Sequence, residues 1–338
     1  MYQISLITGD GIGPELSESV IKVLEVVNDK LDLKLKVEKL EAGDSALAKT
    51  GKALPESTLE AIKRSSACLK APVGESAADV IVVLRRMLNL YANIRPAKSY
   101  PNMPALKDNI DLVIVRENTE DLYTGMEFEV GNSAVALRTI SEHASKRIAK
   151  YAFLTANQRN QKKKVTCVHK SNVMRMTDGL FVRACTEVAK EFPNIKFEQM
   201  YVDACAMNLI REPESFDVIV TTNLFGDILS DESAQVVGGL GMAPAANIGE
   251  NFALFEPVHG AAFDIAGKHA ANPSSFILSA KMMFEWLGMK NGDKKCFSVA
   301  KKLESAVYGV VKDGIKTKDI GGDKTTMEFT QHVISKLA

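Results

Sequence analysis

Apolar and polar residues follow one another along this chain in two rhythms. Short runs rich in Val, Ile and Leu, such as DLVIV at 111–115 and DVIV at 217–220, are bounded by polar or turn residues and predict buried strands. Between them lie longer stretches whose apolar positions recur at the three-to-four-residue spacing that lines one face of a helix. Strands are expected over 2–8, 35–40, 67–70, 111–116, 164–169, 196–202, 217–222 and 253–256. Helices are expected over 15–31, 55–64, 141–157, 177–191, 227–237, 273–287 and 296–312. Alternation of the two predicts an α/β protein with open sheets.

Two Gly/Pro-rich joints, 93–104 and 238–244, interrupt this alternation. If both are hinges, residues 98–237 form one domain, and 1–97 folds with 238–338 into the other.

Composition narrows the class. The chain has 338 residues, 46% apolar and 25% charged, the balance of a soluble globular protein of about two domains. Lys plus Arg equals Asp plus Glu at 42 each, so the basic excess of a nucleic-acid or anionic-membrane binder is missing. A local basic pocket remains compatible with that neutrality. The five cysteines show no CxxC or Cys/His ligand spacing, which argues against a disulfide framework or a structural zinc site. MYQISLITGDG runs straight into a strand pattern, and no window reaches the roughly 18 apolar residues of a membrane span. A cytoplasmic location is expected.

Candidate chemistry sits where predicted strands end. TGDGIGPE, Thr8 to Glu15, offers Gly9, Gly11 and Gly13, but the spacing is GxGxG, not the GxGxxG of a Rossmann fingerprint. Pro14 suits the first turn of a helix, and Glu15 complements its positive end but would repel a pyrophosphate. The Rossmann assignment is rejected. Arg85, Arg95 and Arg116 are candidate carboxylate binders, because guanidinium pairs with carboxylate through paired, charge-assisted bonds. Asp227 and Asp231 lie four apart on a predicted helix, so both carboxylates share one face. Their repulsion makes sense around a hard cation such as Mg²⁺ or Mn²⁺. Asp203, in YVDACAMN, is a third candidate by position. Lys170 and Tyr123 could each transfer a proton. The Gly/Ala/Pro-dense segment FEPVHGAAFDIAGKHAANP, 255–273, is a long ordered loop of the kind that usually carries function.

Together, LYANIRP, VIVRENTEDLY, CVHKSNVM, TTNLFGDILSDE and FEPVHGAAFDIAGKHAANP resemble the β-decarboxylating dehydrogenases, the family of 3-isopropylmalate, isocitrate, homoisocitrate and tartrate dehydrogenases. The similarity runs from GDGIGPE to GGDKTTMEFT, nearly the whole chain. It implies a two-domain open-sheet fold with a cleft, and an outer NAD-binding domain built from 1–97 and 238–338. It also implies an inner domain, 98–237, at the interface of a homodimer with shared active sites. By the same resemblance, Arg85, Arg95 and Arg116 bind substrate carboxylates, and Asp227 and Asp231 bind Mg²⁺ or Mn²⁺ together with Asp203 of the second subunit. Tyr123 is the general acid, and Lys170 of the second subunit moves a proton. NAD is expected against Ile12, Asn172, Glu256, His259, Gly260, Ala262, Asp264, Ile265 and Asn272. Family members that prefer NADP usually carry Lys and Tyr where this chain has Asp264 and Ile265, and a carboxylate repels a 2′-phosphate, so NAD is favoured. Ile81 and Val82, one turn before Arg85, offer an apolar surface to an isopropyl group. That favours 3-isopropylmalate, and with it leucine biosynthesis, over homoisocitrate or isocitrate. A non-catalytic regulatory subunit is the alternative from another class, and it tends to lose the acids and the Tyr/Lys pair that are present here.

Overall fold

The computed structural model describes residues 1–31 and 33–337. Its strands, in chain order, are β1 (Tyr2–Ile7), β2 (Leu35–Leu40), β3 (Ala67–Lys70), β4 (Ala92–Lys98), β5 (Asp111–Glu117), β6 (Glu127–Val130), β7 (Ser133–Ala136), β8 (Lys164–His169), β9 (Lys196–Tyr201), β10 (Val218–Thr221), β11 (Pro244–Ile248) and β12 (Ala253–Pro257). β6 and β7 form a separate hairpin; the other ten make one sheet in the order β2-β1-β3-β12-β11-β4-β5-β10-β8-β9. β2, β1, β3 and β12 are parallel, as are β5, β10, β8 and β9. Antiparallel pairings of β12 with β11, β11 with β4 and β4 with β5 join the two halves, which therefore run in opposite senses.

Helices cover both faces, as parallel strands require. The first, Gly13–Lys30, begins with Pro14 in its first turn and buries Leu16, Val20, Val23, Leu24 and Val27, one stripe at helical spacing. Burying each such side chain stabilises the fold by roughly 1.5–3 kcal/mol. All five cysteines are buried free thiols. Among the described residues, no helix is long and apolar enough to cross a membrane.

Several sequence expectations need correction. The joint expected at 93–104 is, through Lys98, strand β4 in the middle of the sheet. Asn93, Arg95 and Pro96 hide its strand character: side chains alternate across a strand, and the polar ones here face the site described below. β11 was not anticipated either, being short and Ala-rich. The strand expected over 196–202 stops at Tyr201, so Asp203 lies in the first turn of an unanticipated helix, Val202–Arg211. The helix carrying Asp227 starts one turn earlier than expected, at Asn223. Helices Asp44–Thr50 and Thr326–Leu337 were missed as well.

The central strands place the site. Arg95 on β4, Ala245 on β11 and Glu256 on β12 line a cavity of about 260 Å³. Their neighbours Ile94, Ala246 and Phe255 line a different one on the opposite face of the sheet.

Candidate active site

Three arginines form the cationic side of the cavity. Arg85 comes from helix Ala77–Met87; its Nε donates to Asn247 Oδ1 at 2.9 Å, and its Nη2 lies 3.4 Å from Glu256. Arg95, on β4, donates to Asn93 Oδ1 at 2.9 Å, Ser230 Oγ at 2.7 Å and Asp231 at 3.2 Å. Arg116, near the end of β5, donates through Nε to Asn223 at 2.9 Å and through Nη1 to Asp227. All three are at least nine-tenths buried, Arg116 with only 1% exposure. Burial first, then repulsion by Arg95 and Arg85, pulls the Arg116 guanidinium down to about 9. Burial also lowers Arg85, against the opposing pull of Glu256. Arg116 Nη2 is buried with no partner. A native fold rarely leaves such a donor unpaired, at a cost of about 1–3 kcal/mol. An anionic ligand in the cavity would supply the missing acceptor.

The acidic side comes from helix Asn223–Val236. Gly226 lets this helix approach: a Cβ there would lie 2.5 Å from Arg116 Cγ. Asp227 then receives Arg116 and Tyr123, and faces Arg95 at 3.2 Å. Burial raises its carboxyl, but Arg116 and Arg95 more than offset this and hold it below the ordinary range. Asp231 is shifted the other way, raised by burial and by the neighbouring Asp227 charge against the pull of Arg95. Tyr123 sits in the turn Asp121–Thr124 with the Arg116 guanidinium 4.9 Å from its ring centre. Burial and its bond to Asp227 both raise its phenol. The turn is anchored by Asp121, which receives Arg138 at 2.6 Å and Leu224 N at 3.1 Å.

Ala77, Ala78, Ile81 and Val82 make an apolar wall on the same helix as Arg85, continued by Val73. Lys70 and Glu256 line the same cavity and belong to a buried polar group that sequence reasoning missed in part. Lys70 pairs with Glu256 at 2.7 Å, and Asn247 donates to Glu256 at 2.8 Å while accepting from Arg85, Asn93 and Asn118. Burial raises the Glu256 carboxyl, but Lys70 and Arg85 outweigh it and bring it down to about 2. A lysine closing the otherwise apolar run ACL was the available signal for Lys70.

The other expected residues are distributed unevenly. His259 and Gly260 line the cavity, and His259 is held by Ser275 at 3.0 Å and Gly260 O at 3.1 Å, with burial lowering its imidazole. Ile12, Ala262, Asp264, Ile265 and Asn272 do not line it. Ile12 N donates to Ala261 O at 2.8 Å, so the glycine loop docks onto the 255–273 segment. Asp264 is exposed, Ile265 half-buried, and Asn272 buried with its Oδ1 accepting from Ser274 N at 3.0 Å. Lys170 and Asp203 do not line the cavity; they pair with each other, and Asn172 is exposed nearby in sequence.

The donor set suits a hard divalent ion, since Asp227 and Asp231 offer oxygen ligands beside the cavity. Among the described residues no third His, Cys, Asp or Glu joins them to complete a metal cluster. The 255–273 segment leaves open space at Gly260, where a Cβ would meet nothing within 4 Å.

Comparison with known proteins agrees with this geometry. Residues 3–333 match the family model described as isocitrate/isopropylmalate dehydrogenase. The 3-isopropylmalate dehydrogenase of Archaeoglobus fulgidus is 52% identical over 337 residues, covering 100% of both chains. That of Sulfurisphaera tokodaii is 50% identical over 338 residues, covering 99% of each. The crystal structure of isocitrate dehydrogenase from Methylococcus capsulatus superposes with a TM-score of 0.93 at 40% identity, covering 100% of this chain and 99% of that one. With Arg85, Arg95, Arg116, Asp227 and Tyr123 lining one cavity and a match along almost its whole length, the chain belongs to the isocitrate/isopropylmalate dehydrogenase family.

Proposed function

We propose that the chain oxidises and decarboxylates 3-isopropylmalate to 4-methyl-2-oxopentanoate and CO₂, with NAD as hydride acceptor and Mg²⁺ or Mn²⁺ in the site. One observation carries the choice of substrate: helix Ala77–Met87 presents Arg85 and, one turn earlier, a wall of Ala77, Ala78, Ile81 and Val82 to the same cavity. A malate-type dicarboxylate with a branched alkyl group matches both halves. A third carboxylate, as in isocitrate or homoisocitrate, finds no cation on that wall.

The metal supplies Lewis acidity and NAD a hydride acceptor; the remaining steps fall to side chains of the chain itself. Arg85, Arg95 and Arg116 take the two carboxylates, exchanging internal contacts for substrate oxygens. Lys170 of a second copy assists removal of the hydroxyl proton, directly or through water, and Tyr123 delivers a proton to the carbon that CO₂ leaves. Asp227 holds the Tyr123 hydroxyl in place for that transfer.

A homodimer completes the site. Lys170 and Asp203 lie off the cavity in their own chain, and Met207, Ile210 and Ile228 are exposed on the adjacent helices Val202–Arg211 and Asn223–Val236. Apolar side chains exposed together suit burial against a second copy. Asp203 and Lys170 of that copy then supply the missing ligand and base. The same reading divides the chain into 1–97 with 238–338 around the cofactor and 98–237 at the dimer interface, and places the enzyme in the cytoplasm.

Steady-state comparison of 3-isopropylmalate, homoisocitrate and isocitrate with NAD and Mn²⁺ tests it. Expected is a kcat/KM for 3-isopropylmalate at least about tenfold above the other two, the size of effect one well-filled apolar subsite supplies. A higher value for either tricarboxylate overturns the substrate assignment. No turnover of any of the three favours a regulatory subunit.

A further inference from the structure

Three loops beside the cavity are fastened to one another. Asp10 N donates to Pro72 O at 2.8 Å, and Ile12 N to Ala261 O at 2.8 Å, so the glycine loop ties the 255–273 segment to the turn after β3. At that junction the buried Asp10 carboxylate accepts from Asp44 N at 2.8 Å, Ser45 N at 3.0 Å, Ser45 Oγ at 2.9 Å and Gly74 N at 3.1 Å. It thereby caps the first turn of helix Asp44–Thr50. The first residue of that helix repeats the arrangement. The Asp44 carboxylate accepts from Glu75 N at 3.0 Å, Ser76 N at 2.8 Å and Ser76 Oγ at 2.6 Å, at the start of helix Ala77–Met87.

Two glycines record how tightly the series is built. A Cβ at Gly43 would lie 2.1 Å from Asp10 Oδ2, and one at Gly74 would lie 2.0 Å from Asp44 Oδ2. The 255–273 segment reaches the same point by a second route: Phe263 Cζ would be 2.8 Å from that Gly74 Cβ. Helix Ala77–Met87 has no cap from its own N-cap side chain. Asp44 instead meets the amides of Glu75 and Ser76, immediately before its first turn, and the helix that Asp44 opens is met in turn by Asp10. Carboxylates at helix starts make charge-assisted bonds to amides and also complement the helix dipole.

We propose that Asp10 and Asp44 are positioning residues that couple the cofactor-side loops to the helix bearing Arg85, Ile81 and Val82, so that filling one subsite tightens the other. The inference rests on the function proposed above. Neither carboxylate touches the cavity, so neither is a catalytic residue. What they set is the register between two binding surfaces. A purely structural cap changes melting temperature alone; a coupling device changes how much one ligand alters the affinity for the other, a factor that is typically 5- to 150-fold.

The test is calorimetric, on the full-length protein with Mn²⁺: the Kd for NADH is measured with and without the acid that the steady-state comparison selects. In the unaltered protein the acid should tighten NADH binding by about tenfold. Asp44→Ala should bring that factor to within about twofold of one while NADH alone binds within about threefold of normal. Asp44→Asn, which keeps an acceptor for Ser76, should retain most of the coupling. Gly74→Ala crowds Asp44 and Phe263 without removing a charge, and Ser76→Ala removes one donor; both should lower the factor, and they serve if Asp44→Ala does not fold. Undiminished coupling in these variants, or its absence from the unaltered protein, overturns the inference. Because the readout is binding, a failure of 3-isopropylmalate turnover refutes the proposed substrate without touching this result.

Discussion

The hydroxyl of Tyr123 donates to the carboxylate of Asp227. A proton donor and a metal-ligand candidate are thereby held together, both beneath Arg116. Asp227 is held below the ordinary carboxylate range by Arg116 and Arg95 against burial, and burial with the bond to Asp227 raises the phenol, so Tyr123 keeps its proton at neutral pH. That is the state a general acid needs.

Tyr123→Phe removes the proton and little else. On the proposed mechanism kcat should fall by about 10²- to 10⁴-fold, the usual range for one general acid. KM for the acid should change by less than about threefold, since the arginines are untouched. A kcat within a factor of three of the original assigns the proton delivery to another group.

Glu256 predicts a pH effect on stability. Its carboxyl is brought down from an ordinary 4.5 to about 2. A depressed carboxyl adds stability that is fully present above its unfolded pKa and is lost as pH falls through the folded one. The margin by which the original protein exceeds Glu256→Gln in unfolding free energy should therefore shrink by on the order of 2 kcal/mol between pH 5.5 and pH 3. Chemical unfolding at each pH measures it. A margin that stays constant through that window means the Lys70 and Arg85 pairing does not depress Glu256. The substitution also leaves two buried cations short of a counter-charge, at about 3–5 kcal/mol. Adding Lys70→Met should recover part of that loss.

These residues also show which parts of the molecule were legible beforehand. β5, β8 and β10 are continuous apolar runs between turn residues, so periodicity and composition located them within a residue or so. β4 was not legible as a strand. Asn93 and Arg95 face the site and Pro96 lacks a donor, so function overrode the local pattern in the middle of the sheet. The arginines, paired aspartates and Tyr123 could be named from motifs; all but Asp231 line one cavity, and Asp231 is joined to it through Arg95. Asn247 could not be named, because its chemistry exists only through contacts across the sheet, and Lys70 left only the signal of a lysine closing an apolar run. Asn247 accepts from Asn93, 154 positions away in sequence. The four donors that meet Asp10 come from Asp44, Ser45 and Gly74, more than thirty positions away, so its role too is visible only in the fold.

Cofactor choice rests on one exposed carboxylate. On the proposed function, the exposed Asp264 of the 255–273 segment would accept from a ribose hydroxyl and repel a 2′-phosphate. The original protein should use NAD with a kcat/KM at least about a hundredfold above that for NADP, on the order of 3 kcal/mol of discrimination. Asp264→Lys with Ile265→Tyr should reverse the sign of that preference. Equal efficiency with both cofactors before substitution would falsify the assignment.

Val82 provides the sharpest test of substrate choice. It lines the cavity three residues before Arg85, so its side chain and that guanidinium occupy neighbouring turns of one helix face. Val82→Arg replaces an apolar contact with a cation that needs a counter-charge, and the isopropyl group of 3-isopropylmalate supplies none. The extra carboxylate of homoisocitrate does. The lost apolar contact alone is worth about 1–3 kcal/mol, or roughly 10–200-fold in kcat/KM, and the added cation pushes the ratio further in the same direction. The ratio of 3-isopropylmalate to homoisocitrate efficiency should therefore fall by at least about a hundredfold. Val82→Leu, which changes volume and not charge, should move it by less than about tenfold. If arginine and leucine shift the ratio equally, the substituent of the substrate does not lie against this helix, and the apolar wall of Ala77, Ala78, Ile81 and Val82 has some other occupant.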